Sequence, residues 1–226
     1  MAEAIFTLKI KDFTFSILAL GPLEANALIL QQNGLERAWI FDPGSDALAV
    51  QAFCQHRHLI PAAIWHTHGH FDHLGSSALL PSSLPGYLAQ EDLNLYPQVE
   101  RYAAMFNLPV KYDPQRIWQD LKDEAVFPWG GPSTAPSMRV LATPGHTPGG
   151  RCFYFADLGV LITGDTLFAG AVGRTDLPGG NWAQLQESLR RKILPLPDTT
   201  IILPGHGPQT TLAAEKNANP YLQDLI

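Results

Sequence analysis

His68-Gly69-His70-Phe71-Asp72-His73 packs three histidines and one carboxylate into six residues. Side chains alternate along an extended backbone, so His68 and His70 point to the same side, as two ligands of one cation must. Asp72 and His73 follow where the chain is expected to turn into a helix, and can point toward a second cation. Neutral imidazole and carboxylate suit Zn, Mn and Fe, and no thiolate is nearby to favour a purely structural site. The competing reading is a His-rich surface turn.

Three further segments repeat the layout of the approach to that stretch, Ile64-Trp65-His66-Thr67-His68. Val140-Leu141-Ala142-Thr143-Pro144-Gly145-His146 is an apolar run closed by Gly and His. Val160-Leu161-Ile162-Thr163-Gly164-Asp165 closes on Gly and Asp, and Ile201-Ile202-Leu203-Pro204-Gly205-His206 on Gly and His. Taken singly, a Pro-Gly-His segment is more often just a turn. Taken together, these strand ends deliver His, His, Asp and His to one edge, where the loops of open α/β sheets build their sites.

The rest of the chain interleaves strand and helix patterns. Ile5–Ile10 and Phe13–Leu20 are strand-like, and Asn33-Gly34 marks a hairpin turn between Ala27–Gln31 and Ala38–Phe41. Ser45 is the expected cap of a helix over Asp46–His56, with Ala47, Val50, Phe53 and Cys54 as its apolar stripe. Ala62–His66 reads as a short buried strand and Glu91–Phe106 as a helix. Pro109, Pro114, Pro128, Gly130-Gly131, Pro132 and Pro136 then break the chain into loops. Strands return at Met138–Ala142, Cys152–Phe155, Val160–Thr163 and Thr199–Leu203. Trp182–Ile193 is an amphipathic helix with Trp182, Leu185, Leu189 and Ile193 on one face, and a short helix is expected around Thr211–Ala218. The pattern predicts an α/β fold.

Composition narrows the function. The chain has 226 residues, 46% of them apolar and 16% charged, enough to bury a large core as one domain. A net charge of −6 argues against non-specific nucleic-acid binding, which needs a basic surface. Two cysteines cannot build a disulfide framework, so a reducing compartment is expected. Met1–Ile10 lacks the basic and apolar regions of a signal peptide, and no apolar run approaches ~18 residues. These features predict a cytoplasmic protein with no membrane partner, as a monomer or small homo-oligomer.

His-x-His-x-Asp-His, then a lone His, then Gly-Asp, then Gly-His resembles the metallo-β-lactamase superfamily of hydrolases, over nearly the whole chain. Asp42-Pro43-Gly44 is similar to that family's early turn. Gly164-Asp165-Thr166-Leu167-Phe168, Gly173-Arg174-Thr175-Asp176 and Pro204-Gly205-His206-Gly207-Pro208 resemble small bacterial proteins related to glyoxalase II, as does the ending through Asn219-Pro220. The resemblance implies a single 1–226 αββα sandwich with the site at one edge of two sheets. It implies two divalent ions, Zn first with Fe or Mn as alternatives. Metal 1 is then held by His68, His70 and His146, metal 2 by Asp72, His73 and His206, with Asp165 bridging.

Two departures from classical glyoxalase II stand out. The sequence runs 20 residues past His206, and the C-terminal helical domain that helps hold glutathione in the classical enzyme is expected to be missing. Classical glyoxalase II has a basic residue shortly after its Gly-Asp-Thr-Leu-Phe, and Arg174 stands near that place as a candidate substrate-binding residue; its other reading is a structural pair with Asp176 or another carboxylate.

Ions sharing a ligand lower the pKa of bound water toward ~7, so a bridging hydroxide is the expected nucleophile and Asp72 its orienting group. Metal 1 is expected to polarise the carbonyl. A thiol of pKa ~8.5 leaves readily, which favours a thioester over an amide, and the resemblance implies an anionic one such as S-D-lactoylglutathione. A mononuclear iron persulfide dioxygenase is the alternative from another class, and a lactonase or phosphodiesterase of the same fold a further one. A true β-lactamase is less favoured, because the best-known zinc enzymes of that kind carry Cys where Asp165 stands. His66 is expected to be buried beside the site, His56 and His58 in solvent, and Cys54 and Cys152 in the core. Trp129-Gly130-Gly131 lines either the substrate mouth or a packed loop, and Lys216 is expected to be an exposed cation.

Overall fold

The computed structural model describes residues 6–108, 110–130 and 136–225; Ile5, Pro109, Gly131 and Pro132 lie outside the described residues. The chain divides into two compact units, residues 1–120 and 121–226.

The first unit runs β1 (Phe6–Ile10), β2 (Phe13–Leu20), β3 (Ala25–Gln32), β4 (Arg37–Phe41), α1 (Ala47–His56), β5 (Ile60–Trp65), α2 (Phe71–Leu74), β6 (Gly86–Tyr87), α3 (Val99–Ala104) and β7 (Trp118–Gln119). Its seven strands lie side by side in sequence order. β1 to β4 pair antiparallel, through short turns that include Asn33-Gly34. From β4 onward the pairs are parallel, because α1 carries the chain back over the sheet before β5 begins. Alternation along β2, β3 and β4 sets Leu18, Leu20, Ala27, Ile29, Ala38 and Ile40 against Val50, Phe53 and Cys54 of α1. The opposite-face residues Phe15, Leu28, Leu30 and Phe41 are buried as well.

Two elements differ from expectation. The cap of α1 is Asp46 rather than Ser45: its carboxylate accepts the Ala49 N–H at 3.0 Å, while Ser45 is buried. The helix expected over Glu91–Phe106 is broken into 3₁₀ turns at Gln90–Asp92 and Tyr96–Gln98, followed by the short α3. Pro97 has no N–H to continue an α-helical ladder. The apolar stripe still works: Tyr96, Val99 and Ala103 pack with Leu74, Leu88 and Val110.

The second unit runs β8 (Val126–Pro128), β9 (Ser137–Ala142), β10 (Arg151–Phe155), β11 (Val160–Gly164), β12 (Leu167–Phe168), β13 (Ala171–Val172), α4 (Trp182–Ser188), β14 (Ile201–Pro204), β15 (Thr210–Thr211) and α5 (Leu212–Ala218). The main sheet has the order β15-β14-β11-β10-β9-β8, and β12 and β13 form a separate ribbon. Leu141, Cys152, Tyr154, Leu161 and Ile202 pack with Leu185, Leu189, Ile193 and Leu212. The expected Trp182–Ile193 helix changes to a π-helix at Leu189–Ile193. Its buried stripe starts at Leu185, because Trp182 is 40% exposed. β10 is antiparallel to both β9 and β11, and β11 is parallel to β14. The C-terminal ends of β9, β11 and β14 therefore share one edge of this sheet, and those ends carry His146, Asp165 and His206. No described helix is long and apolar enough to cross a membrane.

Candidate metal centre

In the first unit, β5 leads through Thr67 into the ligand loop. His70 is extended, with φ −70 and ψ 149, and α2 starts at Phe71. The His68 ring lies 4.8 Å from that of His70 and 4.2 Å from that of His73. Asp72 Oδ2 is 3.8 Å from His73 Nε2. The side chains of His68, His70, Asp72 and His73 thus lie close together. Gly69 makes the turn possible: its N–H donates to Asp92 Oδ2 at 2.9 Å, and a Cβ there would lie 3.0 Å from the Asp92 carbonyl oxygen and from Leu95 Cβ.

Asp42 organises this half. It sits just past β4 with φ +46 and is fully buried. Its carboxylate accepts the Thr67 N–H at 2.8 Å, the Thr67 hydroxyl at 2.7 Å and His73 Nδ1 at 3.1 Å. The Thr67 hydroxyl, having donated to Asp42, has lone pairs left for His68 Nδ1 at 3.0 Å. Both imidazoles therefore carry their proton on Nδ1, which leaves the Nε2 lone pair for a cation.

His66 shows what a non-ligand looks like. Its Nδ1 is 3.0 Å from the Tyr87 carbonyl oxygen and its Nε2 2.7 Å from Ser77 Oγ, so both nitrogens are spent inside the protein. Burial pushes its pKa down to about 4 from 6.5. As pH falls, the unfolded chain takes up the proton first, so this group removes stability on the acid side. The metal-free protein is expected to lose roughly 3 kcal/mol as pH drops from about 6.5 to about 4. His66→Gln should flatten that part of the profile in urea unfolding.

In the second unit, His146 Nδ1 donates to the Arg174 backbone carbonyl at 2.7 Å, again leaving Nε2 for a cation. Asp165 Oδ2 lies 3.5 Å from His146 Nε2 and 3.7 Å from His206 Nε2. One carboxylate oxygen thus faces both histidines. The 173–174 backbone passes so close that a Cβ on Gly173 would stand 1.9 Å from the Asp165 carbonyl oxygen.

Arg174 itself is 61% exposed in its side chain, and its guanidinium grips Asp176 through Nε and Nη2, both at 2.7 Å. The pair with Asp176 is formed. Arg174→Ala is expected to leave metal content unchanged, because what Arg174 offers His146 is a main-chain oxygen; elemental analysis of the variant checks this.

The expected ligands therefore form two groups, His68, His70, Asp72 and His73 in the first unit and His146, Asp165 and His206 in the second. Their donors, imidazole nitrogen and carboxylate oxygen with no thiolate, fit a divalent ion of the Zn, Mn or Fe kind. Sequence reasoning missed Thr67, Asp92 and the Arg174 carbonyl, and saw Asp42 only as part of a turn. Other expectations resolve simply. Trp129 is buried, which selects the packed loop, while Gly131 lies outside the described residues. Cys54 and Cys152 are buried, whereas Lys216, expected to be exposed, is half-buried and pairs with Asp198 at 2.6 Å.

Comparison with known proteins agrees with this architecture. A sequence profile of the Metallo-beta-lactamase superfamily matches residues 20–206. The probable metallo-hydrolase YqgX of Bacillus subtilis is 35% identical over 89% of this chain and 94% of its own. Hydroxyacylglutathione hydrolase GloC of Haemophilus influenzae is 35% identical over 83% of this chain and 88% of its own. Among solved structures, the BLEG-1 B3 metallo-beta-lactamase superposes with a TM-score of 0.81 at 36% identity, over 92% of this chain and 99% of that one. TTHA1623, crystallised in a di-iron-bound form, gives 0.80 at 38% identity, over 91% and 99%.

Proposed function

Because the chain belongs to the Metallo-beta-lactamase superfamily and is a metallo-hydrolase of that family, we propose that it hydrolyses an anionic thioester of the S-D-lactoylglutathione type. In this reading His68, His70 and His146 hold one divalent ion, Asp72, His73 and His206 hold a second, and Asp165 serves both. The observation that carries the reading is the full set of seven ligand residues in a chain 35% identical to hydroxyacylglutathione hydrolase GloC. Zinc is the first candidate. Iron stays beside it because TTHA1623 is described in a di-iron form, and manganese suits the same donors.

When bound, such ions polarise a carbonyl and lower the pKa of water toward ~7. The protein's own groups do the rest. The Nδ1 contacts of His68, His73 and His146 fix their rings and tautomers. Asp72 accepts a hydrogen bond from the attacking water and holds it toward the thioester carbon. The departing thiolate, from a thiol of pKa ~8.5, needs no strong general acid, and no Ser or Cys nucleophile is called for. Arg174 Nη1 lies outside the two bonds to Asp176 and contacts a carboxylate of the substrate, so Arg174→Ala raises KM by several-fold to about tenfold.

The BLEG-1 likeness favours a second reading, hydrolysis of a β-lactam amide. One experiment separates the two. The metal-loaded protein is assayed against a thioester panel with a thiol reagent, and against a chromogenic cephalosporin. Thioester turnover, S-D-lactoylglutathione included, supports the proposal. Cephalosporin turnover alone moves the reading to the amide, and one iron per chain with oxygen uptake on a persulfide moves it to a dioxygenase.

A further inference from the structure

Phe106 stands beside the ligand loop, and Met105 precedes it at the end of α3. α3 closes with the Leu108 N–H on the Ala103 carbonyl at 3.1 Å and with Asn107 at φ +55. A left-handed residue with this bond is a defined helix end rather than a frayed one. Yet Met105 is 74% exposed and Phe106 41%. The Phe106 ring stacks on Phe71, with centroids 5.3 Å apart and planes at 23°. Phe71 is the residue between His70 and Asp72, two of the proposed ligands. The exposed apolar surface of Phe106 is thus continuous with the ligand loop through Phe71, and water is a poor neighbour for it and for Met105.

We propose that Phe71, Phe106 and Met105 form a subsite that takes an apolar hydrocarbon substituent of the thioester. The inference rests on the thioester reading above and extends it from the reacting bond to the group next to it. Stacked rings supply a flat wall. Met105, unbranched and polarizable, adapts to chains of different length. This also gives the 99–108 segment a task, since it places the wall against the turn that carries His70 and Asp72. A hydrocarbon on the acyl side and one on the thiol side share the chemistry this wall recognises.

The test uses the full, metal-loaded protein and two substrate series. One lengthens the acyl group from acetyl to hexanoyl on a single small neutral thiol. The other keeps acetyl and lengthens the thiol from methanethiol to hexanethiol. A buried methylene is worth up to about fourfold, so kcat/KM is expected to rise by about tenfold or more along one series, and that series identifies the side that carries the hydrocarbon. In Met105→Gln and Phe106→Ala the ratio of longest to shortest substrate is expected to fall to within about twofold of one. Met105→Gln alters an exposed side chain and keeps the test valid if Phe106→Ala folds poorly. Non-hydrolysable S-hexyl and S-methyl thioethers, titrated by calorimetry, should show the same preference in binding. Flat profiles in both series, with the shortest substrates still turned over, overturn the subsite alone, and so does an unchanged ratio in Met105→Gln. No turnover of any thioester overturns the thioester reading and the subsite with it.

Discussion

Asp165→Ala is expected to strip most of the metal from the protein and to cut thioester turnover by about a thousandfold or more, roughly 4 kcal/mol of transition-state stabilisation. The reason is placement. Asp165 Oδ2 is within 3.5 Å of His146 Nε2 and 3.7 Å of His206 Nε2, so its loss removes the negative charge that faces both histidines. The imidazoles that remain are neutral and would face two positive ions with one anionic ligand fewer. Asp165→Asn separates charge from shape. The amide keeps the volume but has lost the charge, so it is expected to move in the same direction, with lower metal content and greatly reduced turnover. Elemental analysis beside a thiol-release assay reads both quantities on one sample. Full metal content and full turnover in either variant would remove Asp165 from the centre.

Asp42→Ala is the second large effect, and it reaches both stability and metal. The carboxylate takes three bonds, from the Thr67 amide, the Thr67 hydroxyl and His73 Nδ1, in a place closed to water. Removing it orphans buried donors that cost ~1–3 kcal/mol each, so a loss of about 3 kcal/mol or more is expected in thermal or urea unfolding of the metal-free protein. It also frees the His73 and His68 rings to change tautomer, and outer contacts of this kind are worth about 10–100-fold in metal affinity. Asp42→Asn keeps the size but can turn an N–H toward His73 Nδ1, where an acceptor is needed. It is expected to retain more stability than the alanine variant and still bind metal more weakly. Competition against a coloured chelator measures that difference. Equal affinity in wild type and Asp42→Asn would show that the tautomer lock does not matter.

What the sequence reveals of the fold and the site depends on where each signal resides. Apolar runs closed by Gly and a ligand, as at Val140–His146 and Val160–Asp165, are local patterns, and their strands form where the periodicity puts them. The shared edge of β9, β11 and β14 follows from those strands running the same way. Pro97 is also local, yet the apolar period of Glu91–Phe106 masks it: the stripe is buried as a helix would bury it, while the backbone is in short turns. The α1 cap moves from Ser45 to Asp46 because both residue types cap equally well and only the geometry selects one.

The contacts that prepare the ligands are not local. The Asp42 carboxylate meets residues 25 and 31 positions away in the chain, and the Arg174 carbonyl meets His146 28 positions away. A backbone oxygen leaves no mark in the residue type, so Arg174 draws attention to its guanidinium, which the structure pairs with Asp176. His66 and His68 share a strand face by alternation and look equivalent in sequence. They differ only in what their nitrogens meet: His66 spends both on Tyr87 and Ser77, whereas His68 spends Nδ1 on Thr67.

The seven residues are proposed to hold two divalent ions. The direct measurement is elemental analysis of the full chain, stripped, reconstituted with zinc, manganese or ferrous iron, and desalted. About two ions per wild-type chain are predicted, with a clear loss in His68→Ala and in Asp165→Asn. A wild-type chain that retains no metal, or variants that retain as much as wild type, would contradict the account.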